Sequence, residues 1–368
     1  MNETKRVLIV GAKFGELYIN SFLTPQPGLE LAGLMANGSS RARQLARAFG
    51  IPLYTSLDQV PAGFDIACIV VRSTIVGGSG SKLAEALLGK GLHVIQEHPL
   101  HPTELEQLQM LANSLGLKYW VNSFYANASA GYRWLSAAKT ISSELEESAC
   151  FAQLSSSRQL LYSSLDLLLQ ALHGGSGEVE IACLNRSGPF DQISFSWGET
   201  SVSLELQNYI DPSDPDQHSL VAHQCQIGWP AGTLSLAGSY GPVLWTPTFF
   251  DEQHGTSGES MFTRVSHQNA PCVDLPTTTT LHGAPKDWRA VFERDAPRAV
   301  SHVLRSFLIH MNGHEVPPGF RADHQLTVAR LWQQILRRVG PAKVSTLRPP
   351  RSINSQKLVE AENWGLPS

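Results

Sequence analysis

Three short segments carry residue types suited to chemistry. The first is Val10-Gly11-Ala12-Lys13-Phe14-Gly15-Glu16, where an aliphatic run stops and an amphipathic segment with Leu17, Tyr18 and Phe22 begins. Glycine at such a strand-to-helix turn lets the backbone approach an anion closely, and the free amides at a helix start favour negative charge. A GxGxxG pattern would put glycines at 11, 13 and 16, whereas this chain has Lys13 and Glu16, with a glycine at 15. Lys13 offers charge in place of the missing amide geometry. The second segment is Gln96-Glu97-His98-Pro99-Leu100-His101-Pro102. An imidazole, with an unperturbed pKa of ~6.5, exchanges protons near neutral pH. The third is Tyr125, just past Val121-Asn122-Ser123-Phe124; a phenol donates readily where a nearby cation lowers its pKa.

These segments need a scaffold that brings strand ends together. From Val7 to about Asn122, short aliphatic runs (Val7–Val10, Leu29–Leu34, Ile66–Val71, His93–Ile95, Lys118–Asn122) alternate with helix-length stretches at Ser40–Phe49, Lys82–Leu88 and Thr103–Gly116. The last opens with Thr103-Glu104-Leu105-Glu106, which fits a capping box. Such alternation predicts βαβ units and a doubly wound parallel sheet. In that frame Gly11, Ala12, Lys13, Phe14 and Gly15 face the phosphates of a dinucleotide. The second strand ends in Ala36-Asn37-Gly38-Ser39-Ser40-Arg41-Ala42-Arg43, with no acid to bind both ribose hydroxyls. Ser39 and Ser40 as donors, with Arg41 or Arg43 as a planar cation, favour NADPH over NADH. The plain structural alternative is an N-cap serine and a solvated arginine face. Arg72, Ser73 and Thr74, followed by a flexible Gly77-Gly78-Ser79-Gly80, lie where a loop borders the ribose or phosphates, and Glu97 and His98 reach the nicotinamide end.

Beyond residue 125 the alternation stops. Strand-like stretches at Glu178–Cys183, Ile193–Trp197, Val202–Tyr209, His218–Ile227 and Thr233–Ala237 predict a second, mostly antiparallel sheet, with helices at Ser157–Leu172 and His324–Val339. The expected fold class is α/β: an N-terminal Rossmann domain over 1–124, its last helix returning from the C-terminal region. An α+β domain on a large, mostly antiparallel open sheet follows over 125–348, then a loose tail over 349–368. Asp251 to about Pro285 reads as a long mobile loop. Trp229, Tyr240 and Trp245 are either sheet packing or walls for an aromatic substrate end.

Of 368 residues 42% are hydrophobic, and 28 basic side chains face 32 acidic ones, so a large core is available and no clustered positive field draws nucleic acid or anionic bilayers. Met1–Arg6 lacks the pattern of an export signal and no stretch is long enough to span a bilayer, so the expected location is cytoplasmic. Five cysteines without CxxC spacing, and histidines without HExxH spacing, predict neither a disulfide framework nor a metal site.

Strand then Glu97-His98-Pro99 resembles the Glu-Lys-Pro motif of the glucose-fructose oxidoreductase/inositol dehydrogenase/MocA family, with His98 in the lysine's place. That family's Asp-x-Gly-x-His-x-x-Asp helix is matched by Gln159-Leu160-Leu161-Tyr162-Ser163-Ser164-Leu165-Asp166, which keeps only the last Asp. The departure points to one branch. Arg6–Glu16, Asp65–Thr74, Gln96–Pro102, Ser157-Arg158-Gln159-Leu160-Leu161-Tyr162-Ser163, Asp211-Pro212, Ser239–Val243 and Leu331–Arg337 closely resemble thiazolinyl imine reductases of siderophore assembly lines. The resemblance implies NADPH-dependent reduction of a thiazoline C=N to a thiazolidine, the substrate being held as a thioester on a carrier domain of a nonribosomal peptide synthetase, as in yersiniabactin or pyochelin synthesis. It also implies His98 and Tyr125 as proton donors, and a homodimer formed through the open sheet. His101 is a loop residue held in reserve; Arg158 and Tyr162 face the cleft as substrate contacts. A sugar dehydrogenase would need the missing lysine and helix histidine, and an NADPH-binding sensor would need no proton donor.

Overall fold

The computed structural model describes residues 3–172, 179–185, 188–251 and 271–360. Aliphatic runs buried on both faces form six parallel strands: β1 (Lys5–Val10), β2 (Leu29–Met35), β3 (Leu53–Tyr54), β4 (Ile66–Ile69), β5 (His93–Glu97) and β6 (Tyr119–Asn122). Their order is β3-β2-β1-β4-β5-β6, so the direction of winding reverses between β1 and β4 and opens a crevice at their carboxyl ends. The connecting helices are α1 (Gly15–Asn20), α2 (Ser40–Phe49), α3 (Gly80–Gly89) and α4 (Pro102–Ser114). The capping-box reading at Thr103 is corrected. His101 is the N-cap of α4 and accepts from the Thr103 amide at 3.3 Å, with Pro102 in the first turn, where a missing N–H costs nothing.

The chain then crosses through α5 (Ser129–Leu145) into β7 (Phe151–Ser157), α6 (Leu161–Ala171), β8 (Ala182–Asn185), β9 (Phe190–Trp197), β10 (Thr200–Gln207), β11 (Tyr209–Ile210), β12 (His223–Trp229), β13 (Gly232–Leu236), β14 (Val243–Pro247) and β15 (Thr279–His282). It ends with α7 (Ala296–Met311), α8 (Ala322–Val339) and β16 (Lys343–Val344) before the tail. Eight of these strands form one sheet in the order β15-β14-β13-β12-β7-β10-β9-β8. Only the β7–β10 pair is parallel; the other neighbours are antiparallel. Strict alternation decides its faces: in β10, Val202, Leu204 and Leu206 are buried while Ser201, Ser203 and Glu205 are exposed.

Several sequence expectations change. The presumed loop from Asp251 to Pro285 contains β15, because its threonines suit a pleated surface and Leu244 pairs with Thr280. Residues 252–270 and Glu178 lie outside the described residues. The helix expected from Ser157 starts at Leu161, since Ser157 closes β7 and Arg158–Leu160 form a 3-10 turn. Two further long helices, α5 and α7, accompany α6 and α8. The tail carries a helical turn at Ser355–Glu360. α7 returns to the first sheet, where Val300, Val303, Leu304 and Phe307 share a core with Ile19 and Trp120. α8 meanwhile bridges α4 and α6. No helix among the described residues is long and apolar enough to cross a membrane.

Candidate active site

The β1–α1 turn meets the physical requirements of an anion cradle. Gly11 has φ 113°, and a Cβ there would lie 2.6 Å from the Val70 carbonyl oxygen, so no side chain fits. A Cβ on Gly15 would come within 3.3 Å of Ile9, which lets α1 pack close to the sheet. No side chain caps α1, and the amides of Ala12, Lys13 and Phe14 donate to no group among the described residues. These donors fit a dinucleotide pyrophosphate. The Lys13 side chain is exposed at the rim, and Phe14 sets its ring edge-on to Phe124 at 5.3 Å.

At the end of β2 the four candidates separate by role. Ser39 caps α2, its Oγ accepting from the Ala42 amide, while Ser40 stands exposed beside it. Arg41 pairs with Glu16, its Nε at 2.9 Å from the carboxylate, and Arg43 donates to the Gly38 carbonyl. Both guanidiniums are thus held at the crevice mouth, Arg41 already partly neutralised. The loop after β4 is less free than its glycines imply: Gly78 and Gly80 donate to the Ser73 and Arg72 carbonyls at 2.9 Å, and a Cβ on either would strike the Arg72 or Val71 backbone. Ser73 donates its hydroxyl to the Pro99 carbonyl, Arg72 pairs with Asp216 of the second domain, and Thr74 begins a 3-10 turn. These residues shape the crevice wall, and the Ser73 hydroxyl is committed to protein rather than to a ribose.

Glu97 is a buried hub. Its Oε1 accepts from Tyr18 of α1 and, at 2.8 Å, from the Asn122 amide, and its Oε2 lies 3.5 Å from His98 Nδ1. His98 Nδ1 also lies 3.1 Å from the Asn122 carbonyl oxygen, which can only accept, so this nitrogen carries a hydrogen and leaves Nε2 to exchange protons. The ring stacks on Tyr162, with centroids 5.5 Å apart. Burial, with Asp166 nearby, raises the Tyr162 phenol far above its ordinary range, and its hydroxyl has no partner among the described residues.

Tyr125 reaches the same place through a strained turn. Phe124 has φ 66° and ψ −58°, and the Tyr125 amide donates to the Ser123 carbonyl at 2.8 Å, which makes a γ-turn of the rare, costly hand. The Asn122 side chain holds this turn by accepting from the Phe124 amide. The Tyr125 hydroxyl has no hydrogen-bond partner among the described residues. The expectation of a cation lowering its pKa is overturned: burial and the Glu97 charge push the phenol up to about 12. It is a neutral donor at any ordinary pH.

The remaining candidates divide. Arg158 is tied down, donating to Asn208 Oδ1 at 2.6 Å and to the Gly340 carbonyl at 2.9 Å. His101 caps α4 and meets Gln333. Trp229 and Trp245 pack against each other with centroids 6.4 Å apart, whereas Tyr240 lies 6.1 Å from Tyr125 and 6.1 Å from the exposed Trp288. Sequence reasoning missed Tyr18, Trp288 and above all His223, whose ring centroid is 4.0 Å from that of Tyr125. Nothing local marks His223, because it sits in an ordinary alternating strand. Behind Tyr162 a cavity of ≈ 730 Å³ is bordered by Ser123, Asp166 and His324. There Asp166 accepts from Ser123 and Gln170 and lies 2.7 Å from His324 Nε2. Among the described residues no group of three His, Cys, Asp or Glu side chains is placed to hold a metal ion.

Crevice, cradle and second-domain wall together define a nicotinamide-dependent oxidoreductase of Rossmann type, and residues 5–123 match the family model described as oxidoreductase family, NAD-binding Rossmann fold (GFO/IDH/MocA). Residues 147–246 match the model of the thiazolinyl imine reductase Irp3-like C-terminal region, so the chain belongs to the Irp3-like branch of the GFO/IDH/MocA oxidoreductases. None of the curated proteins matches the sequence. Among solved structures, it resembles a dehydrogenase from Chromobacterium violaceum (14% identity, TM-score 0.66, 98% of this chain and 99% of that one covered). The UDP-N-acetylglucosamine 3-dehydrogenase of Acidithiobacillus ferrooxidans is similar too (14%, 0.62, 91% and 97%). So is the biliverdin reductase of Synechocystis, solved with biliverdin and NADP+ (15%, 0.58, 89% and 98%). At these identities the likeness speaks for the fold.

Proposed function

We propose that the protein reduces the C=N bond of a thiazoline, held as a thioester on a carrier domain of a nonribosomal peptide synthetase, to a thiazolidine with NADPH. The observation that carries this reading is the pairing of His98 and Tyr125 beside Glu97 at the crevice, in a chain whose second-domain segment matches an imine reductase model. A bound dihydronicotinamide supplies a hydride. The ring carbon gains that hydride while electron density builds on nitrogen, which must then be protonated. His98 Nε2–H is placed to deliver the proton, and its Nδ1–H stays on the Asn122 carbonyl before and after, so ring orientation survives the transfer. The Tyr125 phenol donates a hydrogen bond to the same nitrogen. The products are one C–H bond, one N–H bond and oxidised nicotinamide.

The direct test mixes purified protein, NADPH and a hydroxyphenyl-thiazoline thioester, following loss of dihydronicotinamide absorbance and a product mass gain of two hydrogens. No NADPH oxidation would sink the reading. Because the Tyr125 phenol holds its proton until about pH 12, Tyr125→Phe should lower kcat without moving the pH–rate profile below about pH 10. A profile that shifts in this variant would show the phenol titrating in the working range.

Cofactor choice follows from the β2 end. NADPH should bind more tightly than NADH, and Arg43→Ala should erode that preference about tenfold, the worth of one charge-assisted bond to phosphate. Titrations that give equal affinities for the two cofactors would remove the assignment.

We further propose a homodimer formed through the large sheet. Among the described residues its helices pack on one face; on the other, Gln153, Ser155, Gln192, Ser194, Ser196, Ser201, Ser203, Gln224, Gln226, Thr233 and Ser235 leave Glu205 as the lone charge among the described central strands. Interface cores are depleted in charge, and a self-complementary face suits twofold pairing. Ser203→Arg should convert a dimer into a monomer by light scattering; wild-type protein that runs only as a monomer would reject the proposal.

A further inference from the structure

His223 enters the site from β12, fully buried, and its two ring nitrogens have partners that fix its state. Nε2 lies 2.8 Å from Ser163 Oγ, and that hydroxyl donates to the Leu160 carbonyl at 2.9 Å. With its hydrogen committed, Ser163 can only accept, so Nε2 carries the ring hydrogen. In the neutral ring that burial favours, Nδ1, 2.8 Å from Ser239 Oγ, accepts from the Ser239 hydroxyl. We propose that His223 is the positioning residue for Tyr125, a neutral imidazole locked with its hydrogen on Nε2 that forms the wall against which the Tyr125 ring is set. This rests on the reading of Tyr125 as a donor to the substrate.

The groups facing His223 from each neighbouring element agree. Ser163 lies on α6, Ser239 follows β13, and Tyr125 follows β6 with its ring 4.0 Å away. His98, after β5, is an ionisable group whose charge acts on His223. Burial first, and His98 second, depress the His223 imidazole to about 3. Two imidazoles therefore divide the labour: His98, facing the Glu97 carboxylate, is the proposed donor, and His223, set among hydroxyls and rings, is the wall. This wall, with the Tyr240 ring 6.1 Å away, backs the phenol that emerges from the strained Phe124 turn.

A wall and a proton carrier respond differently to substitution. His223→Ala should lower kcat for thiazoline thioester reduction about 10- to 100-fold, the cost of a loosened donor, with the KM for NADPH unchanged. His223→Phe restores a flat ring and should recover kcat to within about threefold of wild type. Equal losses in both variants would overturn the proposal, since they would mean that imidazole chemistry is required. Independently, 15N–1H spectra of histidine-labelled protein, with the His223 signal identified by its loss in His223→Phe, should show one neutral Nε2–H tautomer from about pH 5 to 8. A His223 signal that titrates in that range would defeat it as well. The spectra need no turnover, so they decide the matter even for a protein that fails to reduce thiazolines.

Discussion

Replacing His98 by alanine is expected to lower kcat by about 10²–10⁴, or roughly 3–5 kcal/mol of transition-state stabilisation, while leaving NADPH affinity within about twofold. The asymmetry follows from where His98 sits. Its Nδ1 is bonded to the Asn122 carbonyl and faces Glu97, its ring lies on Tyr162, and only Nε2 is available to a reacting atom. The candidate anion cradle is built elsewhere, from the amides of residues 12–14. A loss in KM for NADPH as large as the loss in kcat would place His98 in cofactor binding instead. Combining His98→Ala with Tyr125→Phe should cost much less than the product of the two separate losses, because both groups serve one nitrogen. Strict multiplicativity would indicate that they act on different steps.

The second large effect is expected at Gly11. Alanine there puts a Cβ 2.6 Å from the Val70 carbonyl oxygen and 3.2 Å from the Val71 side chain, at a φ of 113° that L residues rarely adopt. The turn must move, and the backbone strain alone costs about 1–3 kcal/mol. Since the free amides follow directly, NADPH binding should weaken by about tenfold or more, measured by fluorescence titration, together with a lowered Tm. Gly50→Ala is the control. That glycine is also left-handed, at φ 64°, but a Cβ there meets nothing within 4 Å and it ends α2 away from the crevice. It should lose stability with no change in cofactor affinity. Unaltered NADPH binding in Gly11→Ala would mean that the cofactor does not use this turn.

The network that joins these residues also explains the tolerance of an unusual backbone. Asn122 spends its whole side chain on the site: the amide donates to Glu97 and to the Tyr18 hydroxyl, and its carbonyl oxygen receives the Phe124 amide. One residue thus fixes the hub that faces His98 and the turn that launches Tyr125. The edge of the first sheet carries His98 and Tyr125, and the second domain supplies the surfaces they rest on, Tyr162 for the imidazole and His223 for the phenol. Donors held this way need little reorganisation as charge develops.

Much of the first domain was legible in the chain because its determinants are local. Aliphatic runs of four to seven residues alternating with amphipathic helices leave few alternatives to a parallel sheet, and Gly11 announces a turn that no other residue fits. Residue types at strand ends could also be read, since the winding rule puts every carboxyl end at one crevice. The second domain was read more coarsely. β15 and the position of the helix expected to return to the first sheet depend on packing with segments far along the chain, which periodicity does not report, and the flexible look of Gly77–Gly80 dissolves once Gly78 and Gly80 are seen folded onto Arg72.

What the amino-acid order determined by itself was the class of fold, the turn at Gly11 and an imidazole where the resembling family's motif has a lysine, at position 98. What only the tertiary structure decided was the state of each group. The Tyr125 phenol is raised and not lowered, because its neighbours are a carboxylate and low-dielectric packing rather than a cation. Arg158 and Ser73 are consumed by protein partners, and an imidazole from β12, nearly a hundred residues downstream of Tyr125, becomes its wall. Protonation and partnership are set by distances between side chains from different elements, and those distances exist only after the two sheets and their helices have packed.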